Sequence, residues 1–165
     1  MNHTQLILFD LDGTLLNTTL RNQALFTFKP QASRGQLYEG ALEILSLVET
    51  RYRWGIVTNK SALGAEQDLR HFGLWGRQSV LVGGDTLEVC KPDPAPVLHA
   101  CEQAGVLPHR ALFVGDGYAD YEAAKGAGVR FIFCTYGYSK TLPPHATPFA
   151  HIHQLTDLAH LLELS

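Results

Sequence analysis

The sequence predicts a doubly wound α/β domain, a parallel sheet of about five strands with helices on both faces. Short apolar runs rich in β-forming residues recur along the chain, and segments with helical spacing lie between them. Parallel neighbours need a crossover connection, which a helix supplies, so this alternation favours a parallel sheet. A length of 165 residues with 45% hydrophobic and 18% charged residues suits one globular core.

The elements follow in order. Residues 6–9 form the first apolar run, and residues 55–57, 80–82, 111–114 and 129–133 form the others. Their continuous apolar character is that of strands covered on both faces. Helical spacing appears over 41–52, 62–72, 95–104, 118–127 and 155–164. Gly73, Gly105 and Gly128 fall just past three of these segments, where a left-handed cap is most easily supplied by glycine. Residues 15–37, with Pro30 and Gly35 among mixed polarity, interrupt the pattern as a small insertion. The proline-rich stretch 142–148 reads as a surface connection.

Composition excludes several classes of partner. A net charge of -3 and a pI near 6.2 provide no broad basic surface for nucleic acid or an anionic membrane. The first residues carry no basic leader, Asp10 and Asp12 interrupt their apolar run, and no stretch approaches the length of a membrane span, so a cytoplasmic protein is expected. Cys90, Cys101 and Cys134 form no CxxC pair and read as buried thiols. Among the histidines, His145, His151 and His153 match no zinc spacing and read as surface groups. Trp54 and Trp75 flank predicted elements and are expected to pack.

In an open parallel sheet, ligands bind outside the carboxyl ends of the strands. The first strand is followed by Asp10-Leu11-Asp12-Gly13-Thr14 and the second by Thr58-Asn59-Lys60. The third precedes Lys91-Pro92-Asp93-Pro94, and the fourth leads into Gly115-Asp116-Gly117-Tyr118-Ala119-Asp120. Taken singly, each segment also admits a turn or helix-cap reading. Together they bring Asp10, Asp12, Asp116 and Asp120 to one sheet edge. Such a like-charge cluster calls for a cation, and Mg²⁺ suits carboxylates shared with phosphate oxygens. Lys91, the Thr58 hydroxyl and free backbone N–H groups supply the donors that a phosphoryl group needs. Lys60 has no such warrant and reads as a solvated charge.

The ordered set Asp-x-Asp-Gly-Thr, Thr-Asn, Lys-Pro-Asp-Pro and Gly-Asp-x-x-x-Asp resembles the four motifs of the haloacid dehalogenase superfamily, over nearly the whole chain. The resemblance implies a Rossmann-type three-layer sandwich. Gly83-Gly84-Asp85-Thr86-Leu87 and Thr135-Tyr136-Gly137-Tyr138 are similar to the phosphoglycolate phosphatase branch. On that resemblance the chain is expected to be a Mg²⁺-dependent phosphomonoester hydrolase. Asp10 would be the nucleophile, and Asp12 the acid and then the base. Mg²⁺ would be held by the Asp10 carboxylate, the Asp12 backbone carbonyl and Asp116, with Asp120 ligating it or fixing its waters. Thr58 and the Asn59 backbone would bind phosphoryl oxygens, Lys91 would neutralise both nucleophile and transferring group, and Gly13 would permit close backbone approach.

Two departures from the family pattern stand out. Related phosphatases carry a helical cap of several tens of residues where this chain has about 20, so the cap is expected to be minimal or absent and the site open. Gly117 stands where many relatives of this branch have serine, and Asn17 where aspartate is common. An open site leaves the leaving group to be recognised by another subunit or by a large substrate, so the partner is a small phosphate ester or an exposed phosphate on something larger. Asp12 argues against a dehalogenase, because there no alkoxide needs protonating. A phosphotransferase or phosphomutase shares the first half-reaction, and a non-catalytic phosphate-binding or scaffold protein would keep the fold without the chemistry.

Overall fold

A computed structural model describes residues 3–19 and 35–164. The strands are β1 Leu6–Phe9, β2 Leu16–Asn17, β3 Gln36–Leu37, β4 Arg53–Val57, β5 Val80–Val82, β6 Ala111–Gly115, β7 Arg130–Cys134 and β8 Ala150–Ile152. The helices are α1 Ala41–Glu49, α2 Ala62–His71, α3 Ala95–Gln103, α4 Tyr118–Ala127 and α5 Asp157–Leu161. The main sheet has six strands in the order β5-β4-β1-β6-β7-β8, and every adjacent pair is parallel.

Alternation along the strands divides the interior into two layers. Ile7 and Phe9 of β1 face one side with Trp54, Ile56, Leu112 and Val114, and α1, α2 and α5 cover them through Ile44, Leu45, Val48, Leu69 and Leu158. Leu6 and Leu8 face the other side with Val57, Phe113 and Phe131, under Val97, Ala100, Ala123 and Ala124 of α3 and α4. All four residues of β1 and all five of β6 are buried, as a strand enclosed on both faces requires. Each large side chain so enclosed contributes roughly 1.5–3 kcal/mol of transfer free energy.

Local chemistry sets the boundaries. α1 buries Ala41, Ile44, Leu45 and Val48, a 3–4–7 spacing that makes one apolar stripe. Ser61 caps α2 by accepting from Gly64 N at 3.1 Å, and Arg70 and His71 sit in its last turn. Gly73, Gly105 and Gly128 have φ of 70°, 64° and 70°, so the expected left-handed positions are in place.

Three sequence expectations need correction. β8 is a sixth strand in a stretch without a strand pattern: only Ile152 is buried, while His151 faces solvent from the sheet edge. The final helix is shorter than 155–164 and starts at Asp157, whose Oδ2 takes the backbone N–H groups of His153 and Gln154. Cys101 and Cys134 are buried as expected, but Cys90 is exposed because it lies in the loop ahead of Lys91 rather than in an element. Trp54 is buried, edge-on to Phe9, and Trp75 packs at the margin with the Arg70 guanidinium 4.8 Å from its ring.

The insertion predicted over 15–37 is rooted in an antiparallel pair, in which Leu16 and Asn17 of β2 face Leu37 and Gln36 of β3. Its middle, 20–34, lies outside the described residues.

Candidate active site

The sheet brings the four strand-end segments to one edge. Asp10 follows β1, with its N–H bonded to Val114 O at 2.9 Å, and Asp116 and Asp120 follow β6. Oxygens of Asp10, Asp116 and Asp120 all lie within 4.8 Å of one another, and all three residues are buried. The Lys91 ammonium enters this group from the segment after β5. It donates to Asp10 Oδ1 at 2.9 Å, Asp120 Oδ1 at 2.6 Å and Val57 O at 2.8 Å.

Each of these side chains is held by its own supports. Asn59 grips the Lys91 backbone from both sides, its Nδ2 donating to Lys91 O at 2.8 Å and its Oδ1 accepting from Lys91 N at 3.0 Å. Asp120 Oδ2 accepts from the N–H groups of Asp116 and Gly117 at 3.2 and 3.1 Å. Its other oxygen goes to Lys91, so Asp120 ties the start of α4 to the lysine. Asp116 Oδ2 accepts from Tyr138 N at 2.7 Å, and its Oδ1 from Thr14 Oγ1 at 3.3 Å.

The backbone closes tightly around Asp116. Gly13 has φ of 90°, and a Cβ there would stand 2.4 Å from Asp116 Oδ2. A Cβ on Gly137 would stand 2.1 Å from Asp116 Cβ and 2.5 Å from Gly13 O. Two glycines therefore sandwich this carboxylate, so Gly13 serves close approach to Asp116 itself.

Electrostatics follow from burial and crowding. Burial raises the Asp10 pKa well above the ordinary carboxylate value, Asp120 and Asp116 push it further, and Lys91 pulls against them. Burial also raises that of Asp116, opposed by the Tyr138 N–H. Burial works against the Lys91 ammonium, but the charges of Asp10 and Asp120 outweigh it and hold its pKa above the usual lysine value. Three carboxylates and one ammonium leave an excess of negative charge in a buried pocket. The donor set is all oxygen and suits a hard divalent ion such as Mg²⁺. Among the described residues no such cluster includes a histidine.

The structure brings Asp10, Lys91, Asp116, Asp120 and Gly13 together. Thr58 is buried at the end of β4, and its Oγ1 accepts from Lys60 N at 3.2 Å, which leaves the hydroxyl hydrogen to donate outward. The Asn59 side chain is committed to Lys91. The Asp12 carboxylate lies outside the close cluster, 29% exposed, with its Oδ1 2.9 Å from Lys60 Nζ.

Lys60 itself corrects the sequence reading. It is not solvated: its side chain is 14% exposed and is shared between Asp12 and Asp68, the latter 3% exposed on the buried face of α2. Tyr136 and Tyr138, which the sequence ties only to the branch resemblance, also border the site. Tyr136 Oη donates to Thr14 O at 2.7 Å, and the Tyr138 hydroxyl meets Thr18 at the root of the insertion. The signal for Lys60 was present in the register of Asp68, which falls three residues after Ala65 and one before Leu69 on the apolar stripe of α2.

A three-layer parallel α/β domain with an aspartate after its first strand, a buried lysine and an acidic pair after β6 defines a class of hydrolase core. The chain belongs to the haloacid dehalogenase-like hydrolase family, which matches residues 23–134. It is 35% identical over 79% of its length to a phosphoglycolate phosphatase of Nitrosococcus oceani, covering 59% of that protein. It is 41% identical over 61% of its length to an N-acetylmuramic acid 6-phosphate phosphatase of Pseudomonas aeruginosa, covering 45% of it. The chain thus spans about half the length of these relatives. Among solved structures, a predicted phosphoglycolate phosphatase of Haemophilus somnus superposes with a TM-score of 0.83 at 25% identity, over 98% of this chain and 99% of that one. No helix among the described residues is long and apolar enough to cross a membrane.

Proposed function

We propose that this chain is a phosphomonoester hydrolase acting through a phosphorylated Asp10. The observation that carries the reading is the Lys91 ammonium bonded to Asp10 Oδ1 beside the buried carboxylate of Asp116, at the carboxyl edge of the sheet. The names of the related phosphatases support it.

In this reading Asp10 attacks phosphorus. The bond to the leaving oxygen breaks with its electron pair going to that oxygen, and Asp12 supplies the proton. Water then adds to phosphorus, Asp12 takes a proton from it, and the electrons of the Asp10–phosphorus bond return to the carboxylate. Lys91 opposes the burial that favours a protonated Asp10 and faces the equatorial oxygens of the group in transit, while the Thr58 hydroxyl and the Asn59 backbone donate to those oxygens. Asp10, Asp116 and the Asp12 carbonyl would hold Mg²⁺, and Asp120, whose oxygens bind Lys91 and two amides, would position them. When bound, the ion offsets charge repulsion between the nucleophile and phosphate.

The substrate is a phosphate ester whose leaving group is recognised without a large cap. The whole of 165 residues serves as one core, with 15–37 in the place of a cap and a neighbouring copy of the chain or the substrate itself completing the enclosure. A phosphate-release screen over phosphoglycolate, sugar phosphates including N-acetylmuramic acid 6-phosphate, nucleotides and phosphoproteins, with and without Mg²⁺, tests this. Release that requires Mg²⁺ and is abolished by Asp10→Asn is expected. Equal release by the variant would remove Asp10 from the mechanism.

A further inference from the structure

Resting on the reading of Asp12 as the group that protonates the leaving oxygen, we infer that Lys60 is a positioning residue for Asp12, anchored from below by Asp68. Lys60 Nζ lies 2.9 Å from Asp12 Oδ1 and also bonds Asp68 Oδ2. Asp68 is buried and sits among Ala65 and Leu69 on the face of α2 that packs into the sheet. A carboxylate in that place carries a desolvation cost that a small apolar side chain would avoid, and its pairing with a lysine recovers that cost only in good geometry. The arrangement makes sense as a strut: the buried acid fixes the ammonium, and the ammonium fixes an acid that is 29% exposed and could otherwise turn into solvent.

The root of the strut is equally constrained. Lys60 N donates to Thr58 Oγ1 at 3.2 Å, and Lys60 O accepts from Gly84 N at 2.7 Å. Gly84 belongs to the loop in which Asp85 Oδ1 accepts from Ala62 N and Thr86 Oγ1 accepts from Gly83 N, both at 2.8 Å. The segment that carries the phosphate-facing Thr58 therefore also aims Lys60 at Asp12. The Asp12 carboxylate is held apart from the Asp10, Asp116 and Asp120 cluster, and Lys91 and Lys60 serve separate acids.

Leaving-group dependence tests the assignment. p-Nitrophenolate departs without a proton, whereas an alkoxide needs one. Lys60→Met is expected to lower kcat/KM, which reports the phosphorylation half-reaction in which the leaving group departs, roughly 10- to 100-fold on an alkyl phosphate, the scale of a misplaced catalytic group, and by less than about threefold on p-nitrophenyl phosphate. In an Asp12→Asn background the same change should add no further loss, since Lys60 acts through Asp12. Equal losses on both substrates, no loss on either, or a full additional loss in the Asp12→Asn background would overturn the strut. If Lys60→Met does not fold, Lys60→Arg decides, with a smaller shift of the substrate ratio in the same direction expected and an unchanged ratio contradicting. Asp10→Asn, assayed beside them, separates this outcome from failure of the phosphatase reading: activity surviving in that variant refutes the reading itself.

Discussion

Asn59 brackets Lys91 through both of its backbone polar groups, donating to the carbonyl at 2.8 Å and accepting from the amide at 3.0 Å. Through this pair, the segment after β4 fixes the ammonium that meets Asp10. Asn59→Ala leaves both Lys91 groups without that partner, at a cost of about 1–3 kcal/mol in stability. It should also lower kcat more than KM changes, because the lysine loses its aim while phosphate donors remain. Thermal melts and steady-state kinetics on one phosphate ester check this, and a variant with unaltered kcat would show that Lys91 positions itself.

Gly137→Ala tests the packing around Asp116. Its Cβ would fall 2.1 Å from Asp116 Cβ and 2.5 Å from Gly13 O, contacts with no flexible end to yield. A loss of at least about 2 kcal/mol is expected. Gly13→Ala pushes instead on the Asp116 oxygens, at a backbone φ of 90°, so its signature is a rise in the Mg²⁺ concentration needed for half-maximal activity. Mg²⁺ titrations of wild type and variant measure it.

Burial and neighbouring carboxylates raise the pKa values of Asp10 and Asp116 above their ordinary 3.8. The native state therefore keeps protons that the unfolded chain has released, and stability without metal falls as pH rises from about that value through the raised native range. Mg²⁺ competes with those protons, so the gain in melting temperature on adding it should grow with pH across the same window. A gain independent of pH would contradict this.

Glu49 offers a control with the opposite sign, far from the site. Partial burial works against its carboxylate, but hydrogen bonds from Arg77 and Trp54 outweigh it and lower its pKa below the ordinary 4.5. The stabilisation is thus present above that value and lost as pH falls through the native one. Glu49→Gln should cost about 0.5–1 kcal/mol at neutral pH, discounted for solvent exposure, and nothing at a pH below both values. Denaturant melts at the two pH values check it.

The residues legible in the sequence are those that follow strands. Asp10, Thr58, Lys91 and Asp116 stand at strand ends or in the loops after them, and apolar runs mark where those strands stop. Edge position hid β8, because a strand buried on one side needs little more than Ile152 to declare it. Lys60 is harder to read: its partners lie 48 and 8 residues away, and the register of Asp68 on α2 marks a buried acid without marking which cation meets it. Cys90 was misplaced inside because a cysteine in a loop obeys the loop's exposure.

The most direct test is to mix the enzyme with ³²P-labelled phosphate ester and Mg²⁺, quench in acid within the first turnover, and map the label. The account predicts an acid-stable, hydroxylamine-sensitive phosphate on the peptide containing Asp10, absent from Asp10→Asn. Label on any other residue, or turnover undiminished in that variant, would contradict it.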